Sequence, residues 1–240
     1  MNTLNFNIID SVSLGRSQKG QDSFIQYAYE MIGTTNKYYV EFGACDGYNM
    51  CNTAYLRESK GWSGLLLEGD PNVREDPSIN LHNRWIDKDN ICGIFEEFQV
   101  PKDLDFLCID IDGMDFWITK AILEGGYRPR VVMVETNVRF DPYDSKTLKY
   151  NPQWVWDGGN WCGASPYAFK KMFNALGYEP TWVHIDDMIA IRKDILDDNQ
   201  LQPLEWDTIY PHSLKEIYAG HISRDGKQTF ELNEEEWMNI

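Results

Sequence analysis

The stretch YYVEFGACDGYNMCNTAYLRESKGWSGLLLEGDP, residues 38–71, decides how the rest of the chain is read. Tyr38–Phe42 is a short apolar run rich in β-favouring residues, and Gly43 and Gly47 after it let the backbone turn sharply and approach a ligand. A helical segment spans about 52–59, and Leu65, Leu66 and Leu67 then form a second buried strand that ends at Glu68. Strand, glycine loop, helix and strand ending in an acid is the layout of a nucleotide-type cofactor site. A carboxylate about twenty residues past such a loop accepts both ribose hydroxyls. The loop is GxxxG, with Ala44, Cys45 and Asp46 between the glycines, whereas the dinucleotide fingerprint GxGxxG needs its middle glycine to admit a pyrophosphate. A cofactor without phosphate needs no such gap. The plain alternative is that Gly43 and Gly47 only end a strand and open a helix.

Outward from this unit, strands and helices alternate. Helical spacing covers 22–32, 116–124 and 166–176; strands fall at 38–42, 63–67, 106–110 and 131–135, with a weaker one at 84–86. Runs at 178–184 and 188–192 read as a hairpin around Asp186-Asp187. Buried strands alternating with helices predict an α/β fold with a mostly parallel sheet. From 136 to 162 the pattern breaks into a long loop holding Tyr143, Tyr150, Trp154, Trp156 and Trp161, too aromatic for disorder and long enough for a functional lid.

With 240 residues and 42% hydrophobic content, the chain suits one domain with a real core. The expected division is 1–194, carrying the aromatic insertion at 136–162, and an acidic extension over 195–240 packed on or trailing from it. A formal charge of −16 repels phosphate backbones and anionic surfaces, so neither nucleic acid nor membrane is an expected partner. The five cysteines are odd in number and never in CxxC spacing, which argues against a zinc cluster or disulfide framework. No apolar run approaches a membrane span and no charged leader precedes one, so the expected location is cytoplasmic. Oligomeric state is not legible.

Acids gather where strands end. In IDIDGMD, Asp110 and Asp112 close a buried strand and Asp115 opens a helix, and ligands of parallel sheets bind beyond the carboxyl ends of strands. Asp115 reads as a helix N-cap, Asp110 as a cofactor contact or a holder of backbone amides, and Asp112 as either a general base or a structural acid. Glu135 and Asn137 repeat the idea at the next strand end. With Asp110 and Asp112 they form an oxygen-rich set for magnesium, or a metal-free hydrogen-bond network. Asp87 reads as an adenine contact or a turn former.

Taken in order, SQKGQDSF (17–24), VEFGACDG (40–47), NTAYL (52–56), GWSGLLLEGDP (61–71), DFLCIDIDGMDFW (105–117), VVMVETN (131–137) and GASPYAFKKMFNALGY (163–178) resemble the FkbM-type family of S-adenosylmethionine-dependent methyltransferases. The resemblance implies the Rossmann-like class I methyltransferase fold, a mostly parallel seven-stranded sheet with helices on both faces and an antiparallel final hairpin. It also implies transfer of a methyl group, commonly to a hydroxyl. The chain departs from the family in Cys45, where Asn is frequent, and in Glu68-Gly69-Asp70-Pro71, where many members have Glu-Pro. On this reading Glu41, Gly43 and Gly47 shape the methionine pocket, Glu68 grips the ribose, Asp87 reaches adenine and Asp110 lies near the amino-acid end. Ala44, Asn52 and Gly69 complete the cofactor set. Asp112 and Glu135 are the catalytic candidates, and Asn137, Trp154, Trp156 and Trp161 the contacts for a small-molecule or glycan hydroxyl. Two rivals stay open: a catalytically silent glycan-binding module on the same fold, and a nicotinamide-dependent oxidoreductase.

Overall fold

The computed structural model describes residues 2–9, 14–158, 162–210 and 236–240. In chain order, β1 (Asn2–Leu4) and α1 (Gln21–Ile32) lead to β2 (Tyr38–Phe42), α2 (Ala54–Lys60), β3 (Ser63–Glu68), β4 (Leu81–Asn83), α3 (Ile91–Glu97), β5 (Phe106–Ile109), α4 (Asp115–Glu124) and β6 (Val131–Glu135). There follow β7 (Lys146–Leu148), α5 (Pro166–Ala175), β8 (Tyr178–His184), β9 (Asp187–Arg192), α6 (Lys193–Asp198), β10 (Leu201–Pro203), α7 (Trp206–Ile209) and β11 (Trp237–Asn239).

Strand alternation sorts the helices into two layers. Leu65 and Leu67 pack with Val40, Phe42 and Leu107 beneath α3, α4 and α5, while Leu66 points the other way, into a second core with α1, α2 and α6. Ser165 starts α5 by accepting from the Ala168 amide, with Pro166 in the first turn where a missing N–H costs nothing. The sheet has seven strands in the order β4-β3-β2-β5-β6-β9-β8. The first five are parallel, and β9 runs antiparallel to both β6 and β8, so the sheet is mixed only at the closing hairpin.

From β2 the chain moves outward through β3 to β4, then returns past β2 to β5 and β6. The direction of winding therefore reverses between β2 and β5, and a crevice opens at their carboxyl ends. Gly43 leaves β2 at this point with φ 68°, and a Cβ there would overlap the carbonyl oxygen of Asp110. The two strand ends converge only because residue 43 has no side chain.

Two expectations shift. The weak strand lies at Leu81–Asn83, not at 84–86, which instead forms a cavity wall. The long loop contains β7, whose Lys146 and Leu148 pair antiparallel with Asn239 and Trp237 of β11. The described part of 195–240 is tied to the body: β10 pairs with β1, and Trp206, Ile209, Tyr210 and Trp237 are buried. The Tyr210 hydroxyl donates to the carbonyls of Val138 and Phe140, both at 2.8 Å. Among the described residues, no helix is long and apolar enough to cross a membrane.

Candidate functional site

A cavity of about 830 Å³ occupies the crevice, lined by the carboxyl ends of β2, β3, β5 and β6, the start of β9, and residues from 18–21, 84–87 and 150–156. That volume suits a small organic ligand.

On the β2–β3 side, Glu68 stands at the cavity wall. Its Oε2 accepts from the Cys45 amide at 2.9 Å and its Oε1 from the Asp70 amide at 2.9 Å. Each oxygen keeps a further lone pair, so the acid fixes the glycine loop and still faces the cavity as an acceptor. Cys45 adopts φ 50°, a left-handed conformation costly for a residue with a side chain. Gly69 lies under Trp85, whose ring a Cβ would meet at 3.2 Å. Asp87 also lines the wall, yet its Oδ1 accepts from the amides of Asp89 and Asn90 at 2.8 Å each, the work of a turn former.

Glu41, Ala44, Gly47 and Asn52 sit outside the cavity lining. Glu41 is 1% exposed and accepts from Asn52 N at 2.8 Å, Thr53 N at 2.9 Å, Thr53 Oγ1 at 2.6 Å and Cys51 Sγ at 3.1 Å. Burial raises its pKa and these bonds oppose the rise. The acid therefore clasps the segment entering α2 to β2, and shapes the pocket only through the loop it holds. Asn52 is buried beside it with Nδ2 3.5 Å from Cys108 Sγ, and Ala44 is fully buried. Gly47 has φ 76° and packs on Ile79 and Leu66, where a Cβ would come within 2.5 Å of Ile79 Cδ1.

The β5–β6 side is acidic. Carboxylate oxygens of Asp110, Asp112 and Glu135 lie within 4.8 Å of one another. Burial, and after it the charge of Asp187, holds Asp110 well above the ordinary carboxylate range; burial and then Asp110 do the same to Glu135. Glu135 Oε2 is enclosed and has no hydrogen-bond partner among the described residues. Asp112 has φ 55°, and its carbonyl accepts from Trp154 Nε1 at 3.3 Å. The indole lies on Gly113, where any Cβ would overlap the ring. Asp115 is not a cap: as the first residue of α4 it reaches back, Oδ1 accepting from Ile111 N at 2.9 Å and Oδ2 from Gly113 N at 2.8 Å. Burial pushes it up to about 7. Asn137 does not join the acids. Its Nδ2 donates to the Cys162 carbonyl at 3.1 Å and its Oδ1 accepts from Arg139 N at 3.2 Å, so it braces the aromatic loop instead of completing a four-residue metal set.

Trp154 and Trp156 line the cavity, and Trp161 lies outside the described residues. Tyr150 of the aromatic loop and Trp85, to which the sequence reading gave no role at the site, line it as well, and Trp85 Nε1 donates to the Pro152 carbonyl at 2.8 Å, joining two walls. Also missed were Lys19, whose Nζ donates to Asp186 Oδ1 at 2.6 Å, and Gln21, whose Nε2 donates to Asp187 Oδ2 at 2.8 Å. Burial and the charge of Asp186 push Asp187 up to about 7. The available signal was register: β9 antiparallel to β6 sets Asp187 opposite Glu135, turning hairpin acids into site acids.

No family model and no curated protein matches the chain. Among solved structures it is similar to the CMeT domain of the citrinin polyketide synthase, with TM-score 0.39 and 11% identity over 72% of this chain and 51% of that one. A SAM dependent methyltransferase from Aquifex aeolicus gives TM-score 0.37 and 12% identity over 70% of this chain and 87% of that one. The O-methyltransferase NcsB1 of neocarzinostatin biosynthesis, in complex with S-adenosyl-L-homocysteine and 1,4-dihydroxy-2-naphthoic acid, gives 0.32 and 11% over 71% and 55%. The chain spans about half the length of the first and third of these. Scores this low lend no weight to a functional assignment.

Proposed function

We propose that the chain is an S-adenosylmethionine-dependent methyltransferase of the class I fold that methylates a hydroxyl oxygen on a small molecule or sugar. The observation that carries this reading is the crevice itself. Gly43 is pressed against the Asp110 carbonyl and the loop is fixed by Glu68, leaving a ribose-reading acid but no middle glycine to admit a pyrophosphate. The ordered motifs support FkbM-type membership within that class.

The residues fit this cofactor by chemistry: Glu68 offers acceptors for ribose hydroxyls, Trp85 and Ile86 offer apolar surface, and the acids beyond β5 and β6 answer an ammonium and a sulfonium. When bound, S-adenosylmethionine supplies a methyl group on a positively charged sulfur, open to in-line displacement. Asp110 orients the amino-acid end, Trp154 and Trp156 orient the acceptor and exclude water, and Asp112 takes the hydroxyl proton. Beside it, burial and the charge of Asp110 hold Glu135 well above the ordinary carboxylate range. The closeness of Asp110, Asp112 and Glu135 also supports a second arrangement in which they hold magnesium, which binds oxygen ligands and acidifies a hydroxyl. Activity abolished by EDTA and restored by magnesium selects it.

The test of the main reading is thermal. S-adenosylhomocysteine should raise the melting temperature and NAD should not, and the reverse sinks it. Cofactor binding without turnover on any hydroxylated compound would favour the silent glycan-binding module.

A further inference from the structure

Residues 150–154 run between two walls of the cavity and are tied to both. On the side that follows β4, Trp85 Nε1 donates to the Pro152 carbonyl at 2.8 Å, and the Tyr150 hydroxyl accepts from Lys88 N at 3.3 Å. On the side that follows β5, Trp154 Nε1 donates to the Asp112 carbonyl and Asn151 N to Met114 Sδ, both at 3.3 Å. Trp85 has a second engagement. Its six-membered ring lies against Gly69, the residue after Glu68, where a Cβ would come within 3.2 Å of Cε3. Yet Trp85 is 48% exposed on the cavity wall, and with its one polar atom already bonded it offers hydrocarbon to whatever the cavity holds.

We infer that Trp85 is a positioning residue for the acceptor: the nucleoside end of the cofactor covers its indole, and the indole, through the Pro152 carbonyl, sets the wall on which the acceptor docks. This rests on the methyltransferase reading and couples the two halves of the same site. A nucleoside held by its ribose at Glu68 passes over Gly69 and meets the ring beside it. Covering the ring restricts the side chain, and the restriction passes to the carbonyl it holds. Proline fixes its own φ, so few soft torsions separate that carbonyl from Trp154, two residues on. The acceptor then meets a wall already set, and less conformational freedom is lost when it binds. By linkage it tightens the cofactor's hold to the same degree. The Trp154 tie runs to the β5 side instead, and steadies the segment whether or not the nucleoside end is filled.

The test is hydrogen exchange of the full chain with and without saturating S-adenosylhomocysteine, read at peptides covering 43–47 and 150–156. In the parent the ligand should slow exchange at both, and by about fivefold at 150–156, the worth of one neutral hydrogen bond. Trp85→Phe keeps an aromatic ring and removes the N–H. With the ligand saturating, it should retain the slowing at 43–47, while that at 150–156 falls to about twofold or less. Trp154→Phe removes the other tie and serves as the control. Its 150–156 peptide should exchange faster in both states, yet be slowed by the ligand as much as in the parent, the behaviour of a bond that is only structural. Ligand-dependent slowing at 150–156 that survives Trp85→Phe overturns the inference, as does a parent in which only 43–47 responds. So does a Trp154→Phe variant that loses the response as fully as Trp85→Phe. A parent in which S-adenosylhomocysteine protects neither peptide strikes the cofactor reading itself.

Discussion

Replacing Glu41 with glutamine separates two roles that the VEFGACDG motif leaves confounded. Four donors converge on this acid: Oε2 receives Thr53 N, Thr53 Oγ1 and Cys51 Sγ, and Oε1 receives Asn52 N. A glutamine can place its oxygen where Oε2 stands, but its amide nitrogen then faces the Asn52 N–H, donor against donor. One buried donor left unmatched costs about 1–3 kcal/mol, and neutralising the acceptor of the other three bonds adds about 1 kcal/mol. Sparing the burial of a charge offsets part of this, leaving about 2 kcal/mol. For a chain of this length that is a drop of about 4–8 °C in melting temperature. Urea unfolding should show a lower midpoint at unchanged slope, and calorimetry on the folded variant should find the S-adenosylhomocysteine dissociation constant within about threefold of the parent. An unchanged midpoint together with a loss of affinity of about tenfold or more would place the carboxylate on the cofactor and refute the loop-clasp reasoning.

Other perturbations separate the remaining roles. Glu68→Ala should weaken S-adenosylhomocysteine binding by about 1.5–3 kcal/mol and also loosen the Cys45 and Asp70 amides it holds; an unaltered calorimetric affinity takes Glu68 out of the site. Gly43→Ala forces a side chain into φ 68° and parts the ends of β2 and β5, so a loss of about 3 kcal/mol is expected in urea unfolding, and a loss under about 1 kcal/mol would show that the ends separate freely. Asp115 and Asp187 hold protons to about pH 7 in the native state, above their ordinary value, so the native state binds more protons than the unfolded one between about pH 4 and 7. Stability should therefore be greatest at the acid end of that window and decline as pH rises through it. Asp187→Asn should flatten a melting-temperature profile, and a profile rising from about pH 5 to 8 contradicts the assignment. Trp154→Ala should raise the acceptor's KM with S-adenosylhomocysteine affinity kept, and an equal loss of both would mean the ring only props the fold.

Strands β2 and β6 begin and end where the sequence places them, because each is an apolar run stopped by a glycine or an acid at the edge of a buried sheet. Strands β4, β7, β10 and β11 have three residues each, too few for a period to show, and the last three of these exist only through partners distant in sequence. That Glu41 lies outside the cavity lining was not legible for a subtler reason. Alternation does put it on the face opposite Val40 and Phe42, but both faces of this sheet are buried, and nothing local says which face is continuous with the crevice. The carboxyl-edge acids Asp110, Asp112 and Glu135 were legible because strand ends in a parallel sheet are. Lys19 and Gln21 were not, since their partners lie 167 and 166 residues away and only the hairpin register brings them together.

The pairing of β7 with β11 fixes an order of events as well as a shape. Ser145 Oγ donates to the Ile240 carbonyl across 95 residues of chain, so a long ring of backbone is closed there. Closing such a ring is entropically expensive, and contacts of this separation are made late. Residues 38–110 carry their own pairings through β2, β3 and β5, and hold the Glu68 wall of the cavity without it. On renaturation from urea the chain should then regain its grip on S-adenosylhomocysteine before it regains discrimination among acceptors, since residues 150–156 of the cavity wall follow β7 in the segment that β11 secures.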